Sequence, residues 1–229
     1  MARTPTQRQI KRLPREERLT RIKSAARMIF EQKGYEDTAM AEIAAGADLS
    51  EAALYKFYEG KHALVAAVIE DWYEELISDI TANLSGIPDP LARLRFLIWR
   101  QLKAFAAAPG LCRVILLEMR GHADYRGSPV HDCNRRYTAF MLDTLEQGIS
   151  DGVIRADAPA PLLRDLIYGG IEHSVWDFLS GRKKTLNVDD LTEQIFNMIS
   201  AGVSRAAQLD DALARLEQAT ALINQKAGT

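Results

Sequence analysis

Two cysteines, Cys112 and Cys133, are all that the 229 residues hold. They form no disulfide framework and have no metal-ligand spacing. His122, His131 and His173 add no regular ligand pattern to them, so no metal is expected. Long apolar runs are also missing. The most apolar region, around Phe96 to Leu102, is interrupted by Arg95 and Arg100, which argues against a membrane span. Arg3, Arg8, Lys11 and Arg12 stand near the N-terminus with no apolar block behind them, so this end does not read as a signal peptide. A reduced, cytoplasmic protein is the expectation. There is no strand-like alternation, internal repeat or low-complexity stretch. No nucleophile-base arrangement, phosphate loop or paired-carboxylate motif is present, so neither an enzyme nor a cofactor is expected.

What is present is apolar periodicity and an uneven charge. Apolar residues make up 47% of the chain and charged residues 26%, enough for a packed core. Residues 1–62 hold twelve Lys/Arg against nine Asp/Glu, and the remainder seventeen against twenty-two. Within residues 3–27 the count is nine against two. A basic N-terminal segment ahead of an acidic body fits a polyanion partner at one end, and also a solvated tail.

The pattern is helical almost throughout, which predicts an all-α fold. Leu19, Ile22, Ala26, Ile29 and Phe30 recur at helical spacing and Gly34 ends that helix. Asp37 or Thr38 can cap a short second helix holding Ile43 and Ala44. Gly46-Ala47-Asp48 reads as a tight turn, and Ser50 as the cap of a third helix carrying Leu54 and Phe57. From Gly60 a long helix places Val65, Val68, Ile69, Trp72, Leu76 and Ile80 on one face. After the break at 86–90, helices are expected near 90–107, 111–122, 130–151, 160–180 and 188–207. Leu209, Leu213, Leu216 and Ile223 mark a last amphipathic segment.

Two short helices joined by a tight turn can present the second one to the major groove of DNA. Ala52 and Ala53 keep that helix slim, while Leu49, Leu54 and Phe57 can anchor it from behind. The run Leu54-Tyr55-Lys56-Phe57-Tyr58-Glu59-Gly60-Lys61-His62-Ala63-Leu64, following Gly34-Tyr35 and Ile43-Ala44, resembles the DNA-binding domain of the TetR family. The resemblance covers about a quarter of the chain. It implies a basic arm over 1–15, a three-helix DNA-binding head over 16–76 with the helix-turn-helix at 39–58, and a helical body over 77–229. It further implies a homodimeric regulator, a repressor on a palindromic double-stranded operator that a small apolar or amphipathic effector releases. By position, Thr38, Ser50, Glu51, Ala52, Tyr55, Lys56 and Tyr58 fall where the family contacts DNA or supports the reading helix. Lys61 falls where it places a phosphate contact. Glu51 departs from the basic or small residue frequent there, and Gly60 and His62 from the usual Ser and Glu.

In the body, Trp99, Met119, Phe140 and Trp176 come from four expected helices. Ordinary core packing explains such residues, and the resemblance makes them candidates to line an effector cavity. The helices near 160–180 and 188–207 occupy the place of the family's dimerisation helices. A regulator answering to a protein partner or to its own abundance stays open, as does a helical carrier or enzyme with an incidental head.

Overall fold

The computed structural model describes residues 14–204 and, beyond them, residues 209, 212, 213, 215–218 and 220. Every regular element among them is a helix. The basic arm expected over 1–15 lies almost wholly outside the described residues, as does most of the expected amphipathic segment after Leu209.

Helix α1 (Arg15–Lys33) starts after Pro14, carries Glu16 and Glu17 in its first turn and Lys33 in its last, and buries Ile22, Ala25, Ala26 and Phe30. The acidic start and basic end complement the helix dipole. Gly34 stops it at φ 79°, ψ −171°, a conformation that only glycine adopts without strain. Helix α2 (Met40–Gly46) and helix α3 (Glu51–Leu54) follow. The left-handed residue in the turn between them is Asp48, at φ 57°, and the Leu49 N–H closes the turn on Ala44 O at 2.8 Å. Asp tolerates this conformation better than most side chains. Helix α3 is shorter than expected. Beyond Leu54 the backbone tightens, with Lys56 N–H donating to Ala53 O and Phe57 N–H to Leu54 O.

Helix α4 (Lys61–Leu84) and α5 (Pro90–Ala107) are long. Helix α6 (Pro109–Val114) passes into a wider π turn over Ile115–Met119, so the helix expected at 111–122 starts two residues earlier and ends three earlier. Helix α7 covers Pro129–Ser150. The helix expected over 160–180 is broken in two, α8 (Ala160–Ser174) and α9 (Trp176–Leu179). At the break the Ser174 hydroxyl donates back to Gly170 O at 2.7 Å, a bond that bends helices. Helix α10 (Val188–Val203) is capped by the Asn187 side chain, which accepts from Asp190 N–H. It stops at Ser204, which is extended and bridges Ile154.

The chain divides into two compact units. The first holds the chain to Asp79 with residues 104–137 and 175–186; the second holds 80–103, 138–174 and 187 onward. The core of the first includes Ile22, Phe30, Ile43, Leu54, Leu64 and Ile69. That of the second includes Ile80, Leu94, Ile98, Met141, Leu145 and Ile171. No helix among the described residues is long and apolar enough to cross a membrane.

Candidate nucleic-acid interface

The stretch from Ser50 to Lys61 is held from the inside and open on the outside. Leu54 is fully buried, and Leu49 and Phe57 are half-buried behind it. The Arg18 guanidinium lies 5.5 Å from the centre of the Phe57 ring, tying the end of the motif to α1. The Ser50 hydroxyl accepts from Ala53 N–H at 3.3 Å, the cap expected from the sequence. With α3 so fixed, Glu51, Ala52, Tyr55 and Lys56 are exposed, Tyr55 by 49%. Their spacing, two pairs four residues apart, puts them on one face. That face carries one carboxylate, one ammonium and a phenol, with alanine between them for close approach.

Three of the residues at the family's contact or supporting positions are wholly or partly buried. Thr38 is buried, and its hydroxyl donates to Gly34 O at 2.6 Å. It therefore closes the end of α1 and does not cap α2, whose first turn follows Ala39 with no side-chain cap. Tyr58 is half-buried. Burial first, then Asp71 and Glu70, raises its phenol above the usual value, so it stays neutral. Lys61 donates to Tyr35 O at 2.6 Å, Thr38 O at 3.0 Å and Glu36 O at 3.2 Å. Its ammonium also lies 4.4 Å from the centre of the Tyr35 ring. An ammonium has three donors, and here all are taken by the turn between α1 and α2. The same turn is braced by Lys33 and Glu42 at 2.5 Å, a bond that lowers the Glu42 carboxyl below its ordinary value.

The head is joined to α6 by a contact that spans 79 residues of sequence. Both Glu31 carboxylate oxygens accept backbone N–H groups, from Gly110 at 2.9 Å and Leu111 at 2.8 Å. These are orphan donors of the first helical turn. Gly110 is required there, since a Cβ would fall 2.1 Å from Glu31 O. No local sequence signal reveals this joint.

The four expected effector residues are divided between the two units. In the first unit Met119 is buried and Trp176 is 37% exposed. In the second unit Phe140 is half-buried, and Trp99 lines an open groove whose lining includes none of the other three. The groove's acidic side, Asp189, Asp190 and Glu193, was not foreseen from the sequence; the only local hint is the capped start of α10. Among the described residues no three His, Cys, Asp or Glu side chains are placed to hold a metal ion.

Comparison with known proteins agrees with this architecture. Residues 22–68 match the model of the bacterial regulatory proteins of the tetR family, and residues 69–202 match that of the YsiA-like C-terminal region. The chain is 25% identical over 152 residues to the HTH-type transcriptional repressor KstR2 of Mycobacterium tuberculosis, covering 66% of this chain and 74% of the relative. It is 19% identical over 182 residues to the fatty acid metabolism regulator protein of Bacillus subtilis, covering 80% and 93%. The crystal structure of the regulator FadR from Bacillus subtilis in complex with stearoyl-CoA superposes with a TM-score of 0.72 at 18% identity, over 80% of this chain and 98% of that one. The fold is thus that of a DNA-binding regulator of transcription, and the chain belongs to the TetR family.

Proposed function

We propose that this protein is a dimeric repressor that reads a palindromic operator with α3 and releases it when a small apolar or amphipathic effector binds the body. The observation that carries the reading is the exposed face of Glu51, Ala52, Tyr55 and Lys56, on α3 and the turn that continues it, whose other side is buried. Tyr55 and Lys56 reach phosphate or base edges, and Glu51 accepts from a cytosine amino group. Ser50 positions this face as the cap of α3. Thr38, Tyr58 and Lys61 support it from behind.

A second copy of the chain is the partner that the end of the body fits. On α8, Leu162 and Leu166 are 53% and 58% exposed, and Gly169 and Gly170 have open space where a Cβ would stand. On α10, Met198 is 78% exposed and Gly202 is equally open. Apolar side chains beside bare backbone suit close helix packing across a two-fold axis. Ile167, also on α8, is turned into the core and takes no part in this face. Release by an effector requires that it bind the non-DNA-binding conformation more tightly. The relative crystallised with stearoyl-CoA supports an amphipathic ligand for this class of body.

Replacing Tyr55 and Lys56 together by alanine tests the reading. Both are exposed, so the melting temperature is expected to stay within about 2 °C, as for surface substitutions. Operator affinity is expected to fall by at least about tenfold. Unchanged affinity in the double variant would remove α3 as the reading element.

A further inference from the structure

The second unit carries a groove of about 680 Å³ between α5 and the first turns of α10. Ile87, Ala92, Phe96 and Trp99 form its apolar side. Asp189, Asp190 and Glu193 face them with Arg95, three carboxylates against one guanidinium. The size is that of a small-molecule site. The Phe96 and Trp99 rings lie 6.0 Å apart at 31°, giving an aromatic wall.

The charges are not equally satisfied. Glu193 pairs with Arg95, and Asp190 accepts from the Gln194 amide at 2.8 Å. Asp189 accepts the Trp99 indole N–H at 3.0 Å, a neutral donor that fixes the ring beside the carboxylate. The Trp99 ring already attracts a cation, since Lys103 Nζ stands 5.5 Å from its centre. Lys103 is exposed. A carboxylate at the edge of an indole whose face is open to a cation, with an apolar wall running on from it, is complementary to a weakly hydrated positive head with a hydrocarbon tail. The same lining repels a carboxylate or a phosphate.

We propose that this groove binds an organic cation of the alkylammonium class. The head sits over the face of Trp99 with Asp189 at the edge of the ring, and the chain covers Ile87, Ala92 and Phe96. As an effector site this deepens the reading above and rests on it; the binding itself does not.

The test is a titration of decyltrimethylammonium into the full chain without DNA, followed by calorimetry, with decanoate in parallel. The ammonium is expected to bind at least about tenfold more tightly than decanoate. Asp189→Asn keeps the acceptor for the indole N–H and removes the charge; it is expected to weaken the ammonium about three- to tenfold. Lys103→Ala removes a neighbouring positive charge and is expected to tighten it. Decanoate binding as tightly as the ammonium, an Asp189→Asn variant that binds as the wild type does, or no saturable ammonium binding below about 1 mM overturns the proposal. A second titration uses the protein bound to its DNA. Ammonium binding without release of DNA upholds the cation site and removes it as the effector site. Absence of ammonium binding in a protein that still holds DNA removes the site and leaves the DNA-binding reading intact.

Discussion

Lys61 gives its three ammonium protons to the carbonyls of Tyr35, Glu36 and Thr38, and this places it in the framework that supports α3. A phosphate could take it only by displacing one of those carbonyls. Lys61→Met is therefore expected to lower the melting temperature and to weaken binding to every DNA sequence alike. The slope of log affinity against log salt is expected to stay within about half a unit of wild type, where losing a phosphate contact would flatten it by roughly one. Thermal denaturation and binding at several salt concentrations separate the two roles. The cap at Ser50 was legible in the sequence because its partner is Ala53, three residues on. The bonds of Lys61 were not, because its acceptors lie 23 to 26 residues away and are backbone atoms that a residue of any type would supply.

At the scale of elements, helix periodicity located α1, α2 and α4 to α8, since buried residues such as Ile22, Ala26 and Phe30 recur at the spacing of a helical face. It did not show where helices change character. The π turn at Ile115–Met119 and the break at Val175 go with local hydrogen bonds that apolar spacing does not encode. The joint between α1 and α6 is of the same kind. Glu31 closes the first turn of α6 only because Gly110 lets the two backbones meet. Gly110→Ala is expected to force them apart and to cost about 1–3 kcal/mol, the range for overpacked sites. Urea denaturation measures this. A variant as stable as the wild type would mean that the contact yields freely and does not hold α6 to the head.

For the whole molecule, the family places a DNA-binding head before a helical body, and the proposed function rests on an exposed face of each. In the proposed function, Leu162, Leu166 and Met198 pack against a second copy, while Glu51, Ala52, Tyr55 and Lys56 meet DNA. The order of head and body was legible because the head's motif is local. The effector residues were not, because aromatic and sulfur side chains at helical spacing serve core and cavity alike; Met119 is core and Trp99 lines the groove. A dimer bearing two reading helices must see a repeated site, since its two-fold symmetry is imposed on the DNA it prefers. Selection of bound duplexes from a random pool by the full chain tests this most directly. An enriched palindrome with half-sites about 34–36 Å apart, or a multiple of that, is the expected result. Enrichment of a single unrepeated half-site, or of no sequence at all, would contradict it.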